Sequence, residues 1–304
     1  MAAVGEVAEP ELASGALARA RQRASLVPDL LVEARRLAAT VISGWHGRRR
    51  RGIGENFWQF RPFLEGDAAA RIDWRRSARD EQTYVRDREW EAAHTVWIWA
   101  DPSPSMLYKS RGATVSKESR ALVLALALAE LLSRSGERIA WPGVSDPISA
   151  RNGAERLATR LFHTARPLAA KPELAGIKRY SDIVLVSDFL DSPDETFAWL
   201  DSLARRGVRA HLIEVADPAE ETFPYSGRTE FRDPETGEKL TAGRAETLAD
   251  DYRHLYRARR AELARRAKAL GWSFTVHHTD RLASEALVAV HLAMSGDTLT
   301  GGRS

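Results

Sequence analysis

His94-Thr95-Val96-Trp97-Ile98-Trp99-Ala100-Asp101-Pro102-Ser103-Pro104-Ser105-Met106 is the stretch on which the reading of the chain turns. From Thr95 to Ala100 it is β-branched and aromatic, apolar at odd and even positions alike, which suits a strand covered on both faces of a parallel sheet. The run stops at an aspartate, after which Asp101, Ser103 and Ser105 recur at every second position. Pro102 and Pro104 bias Asp101 and Ser103 toward extended backbone, so the three oxygen-bearing side chains are expected on one side above the strand end. Carboxylate and hydroxyl donors with no Cys or His among them form a ligand set for Mg²⁺ or Mn²⁺ and not for zinc.

Working outward, Lys117 to Arg134 reads as a buried helix, apolar almost all round and closed by Gly136. Arg138 to Trp141 reads as a second strand, with a short edge strand near Ile148 and an amphipathic helix from Ala154 to His163. Asp182 to Ser187 repeats the buried-strand pattern and ends on Asp188; a helix over about 193–206 and a strand over 208–215 follow. Residues 218–243 interrupt the alternation with two turn clusters around Thr229 to Arg232, a hairpin-like insertion at the site end of the sheet. A basic helix to about Leu270, a strand from Trp272 to His278 and a closing helix complete the chain. The fold class is therefore α/β, a doubly wound, mainly parallel sheet flanked by helices. In such sheets sites lie beyond the carboxyl ends of the strands, where Asp101 and Asp188 both fall. His277 and His278, being adjacent on a strand, face opposite ways and make a polar strand end in preference to a metal site.

Composition bounds the alternatives. With 304 residues, 44% hydrophobic and 29% charged, the chain is long enough for one large core. A formal net charge of +3 on 45 basic and 42 acidic residues signals no general affinity for polyanions. The absence of cysteine excludes disulfides, thiol catalysis and thiolate metal sites. No basic leader with an apolar core opens the sequence, and no apolar run approaches the roughly 20 residues of a membrane span, so a cytoplasmic location is expected.

Before the first sheet strand, residues from Glu11 to about Arg23 and from Pro28 to about Ser43 carry apolar positions at helical spacing, which predicts two helices with Pro28 in the first turn of the second. Arg48 to Arg51 form a basic run. Residues 55–88 are dense in arginine, acid and aromatic side chains, and Arg61, Arg71, Asp73 and Trp74 are the candidates there for a partner-docking surface. The expected organisation is a helical extension over 1–51, an Arg/aromatic segment over 52–93 packed on the core, and an α/β domain over 94–304.

Joined to the upstream elements Arg61-Pro62-Phe63-x-x-Gly66-Asp67 and Ile72-Asp73-Trp74, the Asp101-x-Ser103-x-Ser105 pattern and Asp188 resemble the DUF58 family, whose core looks like a von Willebrand factor A (vWA) domain. The resemblance implies a Rossmann-like sheet of order 3-2-1-4-5-6 and a metal-ion-dependent adhesion site (MIDAS). There Ser103 and Ser105 hold Mg²⁺ directly, while Asp101 and Asp188 act largely through water. The threonine usual on the loop after the edge strand is absent from residues 144–153, leaving Ser145 or Ser149 as substitutes. The implied function is a bacterial-type, non-enzymatic adaptor that works with a MoxR-type AAA+ ATPase on a client protein. Two other classes compete: a phosphatase-like hydrolase using Asp101 and Asp188 with Asp191 as base, and a nucleic-acid binder using Arg48 to Arg51 and the basic helix over 253–268. The first lacks an Asp-x-Asp pair, a placeable Ser-His-Asp set and a P-loop. The second requires affinity that falls steeply with salt.

Overall fold

The computed structural model of the chain describes residues 13–46, 58–63, 72–79, 82–88, 94–164 and 168–296. The Arg48 to Arg51 run, the Gly66-Asp67 pair and Arg71 lie outside them, as does the side chain of Arg61. Residues 1–44 and 94–304 form one compact unit, and residues 45–93 a second.

Helix α1 (Ala13–His46) opens the first unit. The second contains strand β1 (Trp58–Pro62), the one-turn helix α2 (Trp74–Ser77) and strand β2 (Tyr84–Arg88), with β1 and β2 paired antiparallel. Asp73 caps α2, accepting from the Arg76 amide at 2.9 Å, so one of the four docking candidates has a structural duty. Trp74 is 69% exposed.

The first unit continues with β3 (Thr95–Ala100), α3 (Lys117–Arg134), β4 (Arg138–Trp141), β5 (Ser145–Ile148), α4 (Gly153–His163), β6 (Asp182–Ser187), α5 (Pro193–Arg205) and β7 (Arg209–Ala216). After the short helix α6 (Pro218–Thr222) come the hairpin strands β8 (Thr229–Arg232) and β9 (Lys239–Ala242), then α7 (Ala249–Ala269), β10 (Ser273–His278) and α8 (Ala283–Gly296). The main sheet runs β5-β4-β3-β6-β7-β10, which is 3-2-1-4-5-6 when its strands are counted along the chain. All its pairings are parallel except that of β5 with β4. The chain is thus mixed α/β, with a mostly parallel sheet flanked by helices.

Helix α3 packs against α4 and α8, and all three lie on the sheet, while α5 packs on β7 and α7 on β10. Leu122, Leu124, Leu126 and Leu128 of α3 are all at most 1% exposed. Each such side chain contributes roughly 1.5–3 kcal/mol of transfer free energy, so this core needs no ligand to form. Ser116 caps α3, accepting from the Ser119 amide, and Gly136 adopts a positive φ of 89° just past its end.

The N-terminal segment departs from expectation. One helix replaces the two predicted, and Pro28 lies inside it. Ala24, Val27, Ala34, Ala38 and Val41 are buried at helical spacing on both sides of the proline. Arg23 donates to the Ala100 carbonyl at 2.9 Å and pairs with Glu118 of α3, while Arg35 pairs with Glu130 and with Glu155 of α4. Burying one continuous apolar stripe outweighs the hydrogen bond that proline cannot donate. Since Pro28 is itself exposed, Pro28→Ala restores that bond at no packing cost and is expected to raise unfolding stability by about 1–3 kcal/mol in urea titration.

Candidate functional site

The site grows from the pairing of β3 with β6. Their register sets Ala100 beside Val186, and the ladder continues one step as the Asp101 amide donates to the Val186 carbonyl at 2.9 Å. Asp101 therefore lies level with Ser187, with Asp188 one residue beyond. The Ser187 hydroxyl donates to Asp101 Oδ2 at 2.5 Å and accepts from the Phe189 amide at 2.9 Å. Phe189 adopts a positive φ of 51°, uncommon for an aromatic residue, and the left-handed turn is held by that bond and by the Leu190 amide donating to Asp188 Oδ1.

On the other strand end, the Ser103 amide donates to Asp101 Oδ1 at 2.8 Å, an Asx turn. The backbone is not extended throughout as the proline spacing predicts: from Pro104 to Leu107 it makes one turn of 3₁₀ helix with Ser103 at its N-cap. That turn still brings Ser103 Oγ and Ser105 Oγ within 3.1 Å of each other. The Ser105 hydroxyl also faces Asp188 and helps to hold that carboxyl down. Asp101, Ser103, Ser105 and Asp188 thus meet at the carboxyl end of the sheet, as their sequence positions predict.

Two predicted substitutes do not join them. The Ser145 hydroxyl accepts from the Trp141 amide at 3.0 Å and so serves the β4–β5 turn. Ser149 follows Ile148, which pairs with Ile139, and Ile139 is level with Val96 near the start of β3. Because β5 runs antiparallel, Ser149 is carried to the opposite end of the sheet from Asp101.

Sequence reasoning missed the cation. Lys117, the first residue of α3, is completely buried, and its ammonium donates to Asp188 Oδ2 at 2.8 Å and to Glu220 Oε1 of α6. Its position beside the Ser116 cap gave the only local hint that its side chain would start from a fixed place. Glu220 completes a capping box with Asp217, whose other carboxylate oxygen accepts from the Ser110 amide on the loop after β3. Tyr108 on that loop shares a 2.6 Å hydroxyl contact with Tyr225. Glu235, from the β8–β9 turn, accepts from the Ser105 amide at 3.0 Å.

These neighbours set the charges. Burial disfavours the ammonium of Lys117, but Asp188 and Glu220 outweigh it and raise its pKa above the ordinary lysine value. Burial likewise favours neutral Asp188, yet Lys117 and the surrounding donors hold it below the usual carboxylate range. Asp101 has no such partner: burial and then repulsion by Asp188 push it up to about 6, only partly offset by Ser187 and Ser103. Glu220 is also raised, by burial first, despite Lys117.

A hard cation fits this arrangement on chemical grounds. Two carboxylates and two hydroxyls share the hollow, and the ammonium is bonded to Asp188 and not to Asp101, leaving uncompensated negative charge on the Asp101 side. The donor set is lean, for no group of three or more His, Asp or Glu suited to a metal occurs among the described residues. Ser103 and Ser105 would be the holding residues.

Residues 59–262, more than half of the chain, match the profile of the family described as "Protein of unknown function DUF58". Proteins of Mycobacterium bovis and Mycobacterium tuberculosis, described as uncharacterized, are 28% identical over 267 residues, spanning 79% of this chain and 80% of theirs. Two solved structures align at a TM-score of 0.37 and 14% identity over 67% of this chain: conserved hypothetical protein BatB of Bacteroides thetaiotaomicron, over 98% of its length, and an aerotolerance-related membrane protein of Bacteroides fragilis, over 99%. Among the described residues of this chain no helix is long and apolar enough to cross a membrane.

The raised pKa of Asp101 has a measurable consequence. With the folded value near 6 and the unfolded value near 3.8, folding takes up a proton between them, and the cost of ionised Asp101 grows as pH rises from about 4 and is fully present above about 6. In chelator, Asp101→Asn is expected to gain about 2–3 kcal/mol on wild type at pH 7.5 relative to the same comparison at pH 4, read from urea unfolding at each pH.

Proposed function

The chain belongs to the DUF58 family, and we propose that its α/β unit is a vWA-like, non-enzymatic interaction module that docks a partner protein through Mg²⁺ held at the Asp101, Ser103, Ser105 and Asp188 hollow. The observation that carries the reading is the convergence of two buried carboxylates and two hydroxyls at the sheet's carboxyl end, with the Lys117 ammonium bonded to Asp188 and not to Asp101. When bound, the cation supplies a Lewis-acidic position with coordination sites left open to an acidic side chain of another protein.

The chain's own residues do the rest. Ser103 and Ser105 present their hydroxyls from a turn braced by Asp101 and by the 3₁₀ hydrogen bonds, so little conformational entropy is lost on binding. Asp188, kept anionic by Lys117, contributes charge without having to shed a proton. Asp101 is the carboxylate that gains most from an arriving cation, because its ionised form is the one at a disadvantage.

The family resemblance further supports a MoxR-type AAA+ ATPase as the partner, with this chain as its adaptor toward a client. Trp74, exposed beside Arg75 and Arg76 in the smaller unit, offers the Trp and Arg chemistry common at interface centres and is proposed as a second contact.

Calorimetric titration with Mg²⁺ tests the reading. Wild type is expected to bind one ion, and Ser103→Ala to weaken binding by about tenfold or more with unchanged circular dichroism. A Ser103→Ala isotherm that matches wild type rejects the site, and no heat from either chain rejects Mg²⁺ dependence.

A further inference from the structure

Between α6 and α7 lies a second cavity, lined by Glu221 and Thr222 of the one and by Arg253, Tyr256, Arg257 and Arg260 of the other. None of these residues belongs to the Asp101 and Asp188 cluster. The volume of about 380 Å³ falls within the range of small-molecule sites. The four α7 residues recur at three- and four-residue spacing and so share one face of the helix. Tyr256 is buried, whereas Thr222 and Arg257 are exposed, so the cavity meets solvent along that edge.

Three guanidinium groups and one carboxylate line the walls, and their pairing is uneven. Arg260 donates to both carboxylate oxygens of Glu214 and pairs with Glu221, which also lies 2.9 Å from His278 Nε2. Both acids beside Arg260 are thereby committed. Arg253 reaches only Asp250, at 3.6 Å, an acid whose side chain is 98% exposed, and its buried Nε has no hydrogen-bond partner among the described residues. Arg257, one turn further on, makes no ion pair among the described residues. A buried N–H without an acceptor costs free energy, and like charges four residues apart repel, so an anion in the cavity answers both. The Thr222 hydroxyl donates to the Pro218 carbonyl at 2.9 Å, which leaves the guanidinium groups as the donors.

We propose that this cavity binds a small molecule carrying a phosphate monoester, held by Arg253 and Arg257. A phosphate dianion matches the two guanidinium charges that Glu214 and Glu221 leave uncompensated, and its oxygens accept from the paired N–H groups of the arginine fork. A carboxylate would cancel only half of that charge. A bare phosphate is far smaller than the cavity, so room remains for the body of the ligand. Glu221, an acceptor on the same wall, suits a ligand that also carries hydroxyls, as a sugar phosphate does. The inference stands apart from the docking reading and shares no residue with it.

Titration calorimetry of the full chain with ribose 5-phosphate tests the site, at fixed ionic strength and at about pH 8, where the phosphate is dianionic. Wild type is expected to bind one molecule. Arg257→Ala, at an exposed position, and Arg253→Gln are each expected to weaken binding by about tenfold or more. Lys268→Ala, which removes an exposed charge elsewhere on α7, is expected to behave as wild type. An Arg257→Ala isotherm equal to that of wild type overturns the site. So does an equal loss in Lys268→Ala, since general surface charge would then account for binding. Inorganic phosphate bound as tightly as ribose 5-phosphate overturns the assignment to a phosphorylated small molecule, and no saturable heat from either probe overturns the proposal outright.

Discussion

The pairing of β3 with β6 is the constraint on which the site depends. Two buried strands, far apart in sequence, end side by side, and each continues into an aspartate. Ladder geometry alone puts Ser187 level with Asp101, and the short hydrogen bond between them locks the two strand ends into one unit. The neighbouring strand β7 ends the same way, but its Asp217 is spent on capping α6 and on the Ser110 amide. Three strand ends thus deliver three aspartates, of which two face the hollow and the third holds the loops that surround it.

Charge balance explains how this much acid is tolerated inside a folded chain. Lys117 loses all contact with water, and it does so between Asp188 and Glu220, where Coulomb attraction compensates for desolvation. The ammonium serves those two and leaves Asp101 with hydrogen bonds only. The result is an asymmetric cluster, with Asp188 neutralised by the ammonium and Asp101 held by the Ser187 hydroxyl and the Ser103 amide. The core beneath is apolar and self-sufficient, so the site's unfavourable charge is carried by packing elsewhere in the unit.

Much of this was legible in the sequence because it depends on local pattern. Apolar runs such as Asp182 to Ser187 gave the strands, Gly136 the end of α3, and the spacing of Asp101, Ser103 and Ser105 the site loop. Asp188 followed from the general rule about strand ends. What was not legible depends on long-range geometry. Pro28 reads locally as a helix start, and only the buried stripe from Ala24 to Val41 shows why the helix runs through it. Ser149 looks equivalent to Ser145 until the antiparallel course of β5 separates them. Lys117 and Glu235 carry no signal of their own, since a lysine at a helix start and a glutamate in a turn are ordinary, and their partners lie 71 and 130 residues away.

The central claim is that the oxygen atoms of Ser103 and Ser105, backed by Asp101, form a seat for a hard divalent cation while Lys117 remains on Asp188. Anomalous diffraction at the manganese edge from crystals soaked in Mn²⁺ tests it most directly. The account predicts a single strong peak bounded by the two serine hydroxyls with the Lys117 to Asp188 contact intact. A structure with no anomalous peak at those hydroxyls, or with manganese bound only elsewhere on the chain, would contradict it.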